Sequence, residues 1–405
     1  MEYTGAEIVV KCLEEEGVKH VFGYPGGAVL YIYDAIFKQD GFEHILVRHE
    51  QAAVHAADAY SRSSDKVGVC LVTSGPGLTN AVTGIATAYM DSIPMVILSG
   101  QVPTHAIGQD AFQECDTVGI TRPCVKHNFL VKDVKDLARV MKEAFYIART
   151  GRPGPVLVDI PKDIVDPSKT ASAMQWTDDI EMDLPGYNPS TGVDPAGIAA
   201  AAEMIRSAER PVLYVGGGIL KARAAEALRE LAELTDIHVV TTLMARGAFP
   251  DSHDLCLGMP GMHGNFTAVT AMQEADLLIA LGARFDDRVT GRTDAFAPGA
   301  KKIHIDIDPS SINKNVNADV PVVGDTASVL ADMIKLWKAQ KCRPDAKALD
   351  SWWDQIEEWR SAKSLSFVQS GAVIKPQYAI QRLYELTRDH DAYITTEVGQ
   401  HQMWA

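Results

Sequence analysis

Cysteine is scarce in this sequence, and its arrangement argues against a disulfide framework or a zinc site. The 405 residues include six cysteines, none of which forms a CxxC pair, and no histidine cluster has zinc spacing. Scattered cysteines are typical of a reducing compartment, so we expect a cytoplasmic protein with free thiols. The six are Cys12, Cys70, Cys115, Cys124, Cys256 and Cys342.

Long hydrophobic runs and an excess of positive charge are also missing. The longest apolar runs, such as residues 94–98, are far too short to span a bilayer, and the first residues have neither the basic nor the apolar region of a signal peptide. Acidic residues outnumber basic ones by 53 to 38, and the net charge is -15. Because nucleic acids and anionic membranes attract basic patches, we expect neither as a partner.

Short apolar runs alternate with helical patterns along most of the chain. Strands are predicted at residues 18–22, 45–47, 67–73, 95–99 and 156–160, and helices at 51–61 and 80–89. After a stretch rich in turn-forming residues, strands are predicted at 211–215, 238–242, 277–281, 302–307 and 320–323, with a helix at 224–235. This alternation predicts an α/β protein with doubly wound parallel sheets.

The same pattern predicts the domain boundaries. Residues 1–167 form the first domain, 168–194 a linker, 195–337 the second domain and 338–374 a charged, tryptophan-rich connector. A third unit starts at residue 375 with a helix at 377–387 and a strand at 392–395. So short a piece cannot bury a core of its own, so either the natural protein continues or this piece docks on another surface.

Three loops of the first domain each follow a predicted strand. They are the Gly-Tyr-Pro-Gly-Gly segment at 23–27, the Arg-His-Glu-Gln segment that contains Glu50, and the Thr-Ser-Gly-Pro-Gly segment at 73–77. Each loop also has a simpler explanation when it is taken singly. The first is explained by an ordinary glycine-rich turn, Glu50 by a carboxylate that favours a helix amino terminus, and the third loop by a well-capped turn. Since consecutive crossover loops gather at one edge of a parallel sheet, together they predict a pocket around Glu50.

The ordered set of motifs resembles the acetolactate synthases. The three loops above, Asp-Ala-Phe-Gln-Glu at 110–114, Gly-Arg-Pro-Gly-Pro-Val at 151–156, Gly-Ala-Arg-Phe-Asp-Asp-Arg at 282–288 and Glu-Val-Gly-Gln-His-Gln at 397–402 match that family in order and spacing. The likeness covers essentially the whole chain. It implies a pyrimidine-binding domain at 1–167, a central FAD-binding domain at 195–337 and the start of a truncated diphosphate-binding domain at 375–405.

The resemblance implies a thiamine diphosphate site. Glu50 would hydrogen-bond the aminopyrimidine ring and so activate the cofactor for loss of its C2 proton, while Gly27 and Gln113 would lie near the reacting carbonyl. The other residues implied at this cofactor are Tyr24, Pro25, Thr73, Pro76, Asn80 and, from a neighbouring subunit, Val398, Gly399, Gln400 and His401. The magnesium-binding Gly-Asp-Gly motif of the family is absent, so no metal ligand is expected in this chain and Mg²⁺ is expected to be held beyond residue 405.

Phe112, Lys162 and Arg288 resemble the substrate-channel residues of the family. A physical argument also supports Arg288 as a substrate residue, because a guanidinium binds the carboxylate of a 2-keto acid bidentately. The alternative is a surface arginine paired with Asp286 or Asp287.

Glycines 216–218 follow a predicted strand and are expected either to receive a phosphate or to form a tight turn. The choice of FAD over a nicotinamide nucleotide rests on the resemblance, and FAD would be structural, since acetolactate formation has no net redox step. The implied FAD contacts are Arg152, Gly216, Gly217, Gly218, Thr242, Leu243, Met244, His263, Gly282, Ala283, Arg284, Asp286, Asp306, Ile307 and Asp325.

The implied reaction is decarboxylation of pyruvate on thiamine diphosphate and condensation of the hydroxyethyl fragment with pyruvate or 2-ketobutyrate, the first common step of branched-chain amino acid biosynthesis. The resemblance also implies a homodimer or homotetramer with active sites at the subunit interface and a small regulatory subunit. A pyruvate oxidase type of flavin enzyme and an inactive FAD-binding fragment are the alternatives. The 405-residue chain alone is expected to bind FAD without synthesising acetolactate.

Overall fold

The computed structural model describes residues 2–172, 182, 184–189, 192–340 and 346–405. The chain divides into two compact units, Met1–Ser190 (unit 1) and Thr191–Ala405 (unit 2). Among the described residues, no helix is long and apolar enough to cross a membrane. The cysteines of the described part are all unpaired thiols, and Cys342 lies outside it.

Unit 1 is built on a six-stranded parallel sheet with the strand order β3-β2-β4-β5-β7-β6. A short antiparallel pair, β1 with β8, lies apart from it. The strands are β1 (Glu2–Thr4), β2 (His20–Gly23), β3 (Glu43–Leu46), β4 (Gly68–Val72), β5 (Met95–Gln101), β6 (His127–Leu130), β7 (Pro155–Pro161) and β8 (Thr170–Ser172). The helices are α1 (Gly5–Glu15), α2 (Leu30–Phe37), α3 (Glu50–Ser64), α4 (Pro76–Met90), α5 (Thr117–Thr121) and α6 (Val134–Arg149).

Helices cover both faces of this sheet, which explains the apolar composition of its central strands. Every residue of β4, β5 and β7 is buried. Helices α1, α2 and α6 pack on one face and α3 and α4 on the other. Thr4 and Glu7 form a capping box that begins α1, and His49 caps α3 by accepting a hydrogen bond from the Gln51 amide.

Unit 2 contains a second six-stranded parallel sheet, with the order β11-β10-β9-β12-β13-β14. Its strands are β9 (Pro211–Val215), β10 (His238–Thr241), β11 (Cys256–Gly258), β12 (Leu277–Leu281), β13 (Lys301–Asp306) and β14 (Val320–Val323). Its helices are α7 (Pro195–Ser207), α8 (Gly218–Lys221), α9 (Ala225–Thr235), α10 (Phe266–Glu274), α11 (Asp287–Thr290), α12 (Thr326–Ala339), α13 (Ala346–Ser361), α14 (Pro376–Thr387) and α15 (Gln400–Trp404).

The predicted fold class is confirmed, since both units are doubly wound parallel sheets. The predicted strand at 392–395 is wrong: these residues are not in a strand, and Tyr393 and Ile394 are exposed. A strand needs a neighbour to share its backbone hydrogen bonds, and the described part of the chain offers none at this segment. The domain boundaries stay predictions, and the linker falls largely on residues 173–181, 183, 190 and 191, outside the described residues.

Part of the predicted connector packs on unit 2. In α13, Trp352 is 3% exposed and Ile356 is fully buried, and both belong to the cluster that α10 forms on one face of the sheet. The apolar face of α13 therefore extends the core of unit 2 beyond α12.

Truncating Trp352 tests this packing. Trp352→Ala should lower the free energy of unfolding of unit 2 by about 3–5 kcal/mol, because it leaves a cavity that the neighbouring helices cannot fill. Leu365→Ala is the control, since Leu365 is 77% exposed, and it should change stability by no more than about 0.5 kcal/mol. Urea denaturation measures both, and equal stabilities for the two variants would contradict the packing of α13.

Candidate active site

The pocket predicted from the three loops lies where the strand order of unit 1 changes direction. From β2 the chain first moves to β3 on one side and then to β4 on the other. In open parallel sheets the crevice at such a point, outside the carboxyl ends of the strands, is the usual ligand site. The loops after β2, β3 and β4 therefore meet at this crevice.

Glu50 is the first residue of α3, and the residue is 8% exposed. Asn80, in the first half of α4, donates a hydrogen bond from Nδ2 to Glu50 Oε2 at 2.9 Å. Within the described part of the chain, Oε1 of Glu50 accepts no hydrogen bond. The amide thus fixes the orientation of the carboxylate and leaves one oxygen for a ligand that carries an N–H or O–H group.

The three loops approach so closely that two glycines are required. A Cβ added to Gly26 would lie 2.5 Å from Cβ of Thr73, and one added to Gly77 would lie 2.8 Å from Cγ2 of the same threonine. The Ala28 amide donates to Thr73 Oγ1 at 3.3 Å, which joins the first loop to the third. By contrast, a Cβ on Gly27 would meet no atom within 4 Å, so the pocket is open at this residue.

The segment that carries Phe112 and Gln113 lies directly over the third loop. Gly75 has a φ of +55°, and a Cβ there would lie 2.5 Å from the carbonyl oxygen of Gln113. Gln113 itself has a φ of +59°, while the Phe112 side chain is 87% exposed. The structure therefore brings Gln113 together with the Glu50 pocket and leaves Phe112 facing solvent.

Glu114 holds this segment in shape. Its carboxylate accepts hydrogen bonds from the Gly108 and Ala111 amides, the latter at 2.9 Å. These backbone donors, with that of Gly108 the strongest, hold the pKa of Glu114 below its usual value. The ionised carboxylate is consequently the form that stabilises the loop.

The remaining predicted residues of unit 1 lie around the same sheet edge, except Arg152, which precedes β7 and therefore lies at the opposite, amino edge. The Tyr24 amide donates to Leu71 O at 3.3 Å and Pro25 is exposed, while Pro76 begins α4. Lys162 follows β7, and its amide donates to Gln101 O at 3.0 Å. Arg152 instead donates from Nε to Ser92 Oγ at 2.8 Å, in the turn before β5.

In unit 2 the change of direction lies between β9 and β12, and most of the residues predicted to bind FAD follow these and neighbouring strands. After β9 come Gly216, Gly217 and Gly218, and after β10 come Thr242, Leu243 and Met244. After β12 come Gly282, Ala283, Arg284 and Asp286. At the end of β13 lie Asp306 and Ile307, and after β14 comes Asp325. Their positions place them at the carboxyl edge of the sheet, where the strand order predicts a ligand.

The glycines of this edge pack against each other. A Cβ on Gly216 would lie 2.2 Å from Gly282 O, and one on Gly218 would lie 2.7 Å from Gly282 Cα. The helix that follows them, α8, has only four residues. These contacts favour the tight turn over a phosphate cradle as the reason for glycines 216 and 218.

The carboxylates at this edge are engaged with nearby backbone. Asp286 caps α11 through the Arg288 amide at 3.0 Å and pairs with Arg284 at 2.8 Å. Asp325 caps α12, and Asp306 accepts from the Asp308 amide at 2.8 Å. Apolar side chains after β10 and β11 are by contrast exposed, namely Leu243, Met244, Met262 and Phe266.

Some predicted site residues of unit 2 do not line a pocket within that unit, namely Arg288, His263 and residues 398–401. The Arg288 side chain is 66% exposed and pairs with Asp287 at 3.3 Å. His263 is exposed, and Val398 is 83% exposed just before α15. The described residues contain no group of three or more histidine, cysteine or acidic side chains placed to hold a metal ion.

One buried polar cluster of unit 1 was not predicted from the sequence. Asp159 in β7 and Gln101 in β5 are 1% and 3% exposed, and Gln101 Nε2 donates to Asp159 Oδ2 at 3.0 Å. A carboxylate in the middle of the apolar run 155–161 was the signal that could have drawn attention to it.

Two family profiles match the chain. Residues 3–120 match the thiamine pyrophosphate enzyme N-terminal TPP binding domain, and residues 198–333 match the thiamine pyrophosphate enzyme central domain.

Curated relatives match nearly the whole chain. It is 52% identical over 402 residues to the acetolactate synthase isozyme 3 large subunit of Escherichia coli, covering 99% of this chain and 69% of that protein. It is 51% identical over 402 residues to the acetolactate synthase large subunit of Haemophilus influenzae, with the same coverage. With the acetolactate synthase of Mycobacterium bovis it is 53% identical over 405 residues, covering all of this chain and 64% of that protein. The chain thus spans about two thirds of the length of these relatives.

The contact between Gly75 and Gln113 can be tested by substitution. Gly75→Ala should destabilise unit 1 by about 1–3 kcal/mol, because its backbone conformation is nearly restricted to glycine, and should loosen residues 108–114 by displacing Gln113. Gly27→Ala, where the added Cβ meets no atom within 4 Å, is the matched control for stability. Thermal unfolding and amide hydrogen exchange measure the two effects, and unchanged exchange at 108–114 in Gly75→Ala would refute the contact.

Proposed function

Since the chain belongs to the acetolactate synthase family of thiamine pyrophosphate enzymes, we propose that the Glu50 pocket binds the pyrimidine of thiamine diphosphate and that the enzyme forms acetolactate from two molecules of pyruvate. Membership makes this an enzyme chain of branched-chain amino acid biosynthesis. The observation that carries the proposal is the buried Glu50 carboxylate, which has Oε2 held by Asn80 at 2.9 Å and Oε1 available.

The residues of the pocket fit an aminopyrimidine ring. The close packing of Gly26 and Gly77 against Thr73 holds the loops after β2 and β4 together beside Glu50, so that the wall of the pocket is rigid. The ring nitrogen needs a carboxylate partner, which Oε1 of Glu50 supplies. The open space at Gly27, where an added Cβ would meet no atom within 4 Å, is proposed to take the remainder of the cofactor.

When bound, thiamine diphosphate supplies a carbon nucleophile at C2 that adds to a keto carbonyl. Glu50 acts on the pyrimidine as an acid–base group and thereby promotes loss of the C2 proton. Asn80 holds the carboxylate, and the Gln113 loop brings polar backbone to the place where the keto acid enters. Gln113, Phe112 and Lys162 are proposed as its neighbours in unit 1.

FAD is proposed as a structural cofactor of unit 2. The strand order around β9 and β12 is that of dinucleotide-binding sheets, which supports a nucleotide at their carboxyl edge. The exposed Leu243, Met244 and Met262 are suited to the apolar face of a flavin ring. The glycine turn and the capped carboxylates shape this edge, while His263 is proposed as a further contact.

Mg²⁺ is proposed to accompany the diphosphate. The described residues do not fit a metal site of their own, because they contain no suitable cluster of ligands. We assign no step to the metal. Since relatives are named large subunits, we further infer a small partner subunit and an oligomer in which residues 398–401 serve a neighbouring chain.

Replacing Glu50 by glutamine tests the proposed acid–base role. Glu50→Gln keeps the shape of the side chain but removes the carboxylate, so C2 deprotonation and turnover should fall by roughly 10²–10⁴. Hydrogen–deuterium exchange at C2 of the bound cofactor, followed by proton NMR, measures the step directly. Wild-type exchange in the variant would rule out Glu50 as the activating group.

The substrate role of Arg288 can be separated from its surface ion pair. Arg288→Lys keeps the charge but loses the bidentate geometry, so use of the acceptor keto acid should weaken roughly tenfold while FAD affinity stays unchanged. Arg292→Lys is the matched control, because Arg292 is 81% exposed and also pairs with a nearby aspartate, Asp294. Competition between pyruvate and 2-ketobutyrate as acceptors measures the effect. Identical kinetics of the two variants would show that Arg288 does not bind the acceptor keto acid.

A further inference from the structure

A buried acid with no assigned role lies beside the base of the Gln113 loop. Asp159 belongs to β7 and Gln101 to the neighbouring β5, where Ser99 pairs with Asp159 and Gln101 with Pro161. Both side chains are nearly inaccessible to solvent, at 1% and 3% exposure. They therefore interact with each other and with the protein rather than with water.

The orientation of the Gln101 amide is fixed by its contacts. Oε1 accepts a hydrogen bond from the Val102 amide at 2.8 Å, so Nε2 faces the acid. Nε2 lies 3.0 Å from Asp159 Oδ2, 2.9 Å from Cys115 O and 3.1 Å from Thr117 Oγ1. A single amide thus connects the acid to the segment that follows Gln113.

The backbone of Gln101 makes a second connection. Its carbonyl oxygen accepts a hydrogen bond from the Lys162 amide at 3.0 Å. Gln101 therefore contacts both segments that carry the proposed substrate neighbours, the loop of Phe112 and Gln113 on one side and Lys162 on the other.

The stability of the fold does not explain why an aspartate occupies position 159. Burial raises the pKa of Asp159 to about 7, against hydrogen bonds from Gln101, Thr117 and Ser99 that lower it. Oδ1 has no hydrogen-bond partner in the described part of the protein, and burying a carboxyl group without full compensation costs free energy. An apolar residue would suit the middle of β7 better unless the carboxyl group has a task.

We propose that Asp159 and Gln101 form a positioning pair that holds the Gln113 loop and Lys162 in the arrangement needed to accept the 2-keto acid. The inference rests on the proposed function. Asp159 fixes the Gln101 amide, and the amide fixes Cys115 and Thr117 at the base of the loop. Neither residue touches the Glu50–Asn80 pair, so activation of the cofactor does not depend on them.

The first variant is Gln101→Glu, which keeps the side-chain shape but presents an oxygen to Cys115 O and Asp159. We expect kcat/KM for pyruvate to fall roughly tenfold or more, since buried hydrogen bonds are replaced by unpaired acceptors. Hydrogen–deuterium exchange at cofactor C2 should stay within about twofold of wild type, because the Glu50 pocket is intact. If Gln101→Glu does not fold, Gln101→Ala carries the same expectation.

The double swap Gln101→Glu with Asp159→Asn separates positioning from stability. It restores a donor and acceptor between the two side chains but leaves Cys115 O facing an oxygen. We expect it to recover the melting temperature lost in Gln101→Glu without recovering kcat/KM. The control is Asp58→Asn, a 6% exposed aspartate that binds Arg62, which should lower the melting temperature while kcat/KM stays constant.

Amide hydrogen exchange of residues 108–117 gives a readout that needs no activity. Exchange should be faster in Gln101→Glu and in the double swap than in Asp58→Asn. Three results would each overturn the positioning role. The first is an exchange rate at residues 108–117 equal to that of the wild type in both Gln101→Glu and the double swap. The second is an unchanged kcat/KM in Gln101→Glu, and the third is full recovery of kcat/KM in the double swap. Absence of acetolactate from a wild-type enzyme shown to carry thiamine diphosphate, Mg²⁺ and FAD would instead refute the proposed function, and the exchange data would still decide the role of the pair.

Discussion

The hydrogen bond from Asn80 Nδ2 to Glu50 Oε2 joins the amino-terminal halves of α3 and α4 at the point where the sheet of unit 1 reverses its strand order. The carboxylate lies in a crevice only because β3, β2 and β4 are neighbours. It has a defined orientation only because the amide holds one of its oxygens. The glycines of the surrounding loops follow from this arrangement, since Thr73 fills the space that larger residues would need. The contact between the two helices thus orients the carboxylate of the pocket, while the packing of the glycines against Thr73 sets how closely the loops approach.

The sheet of unit 2 has the same kind of reversal in strand order, but different residues line it. Its strand order also reverses, between β9 and β12, and its glycine turns pack tightly against each other instead of surrounding a carboxylate. The carboxylates at its edge are engaged with backbone, as at Asp286 and Asp325. Such an edge is suited to holding a ligand in place, whereas the edge of unit 1 retains an oxygen free for chemistry. This difference supports the proposal that the FAD of unit 2 has a structural role.

The sequence predicts elements that depend on local patterns. Strands β9, β12 and β14 were predicted to the residue, because each is a short apolar run bounded by polar or turn-forming residues. The place of Glu50 followed from a carboxylate directly after a strand. The pattern failed at 392–395, where an apolar run has no neighbouring strand in the described part of the chain. It also missed the Gln101–Asp159 pair, whose members are 58 residues apart and become partners only when β5 and β7 align.

The most direct test of this account is a double-mutant cycle on Asn80 and Glu50, read by hydrogen–deuterium exchange at C2 of bound thiamine diphosphate. If Asn80 acts by orienting the carboxylate, Asn80→Ala should slow exchange in the wild-type background and have no further effect in the Glu50→Gln background. Equal slowing by Asn80→Ala in both backgrounds would show that the two residues act independently, and would contradict the central place given to their hydrogen bond.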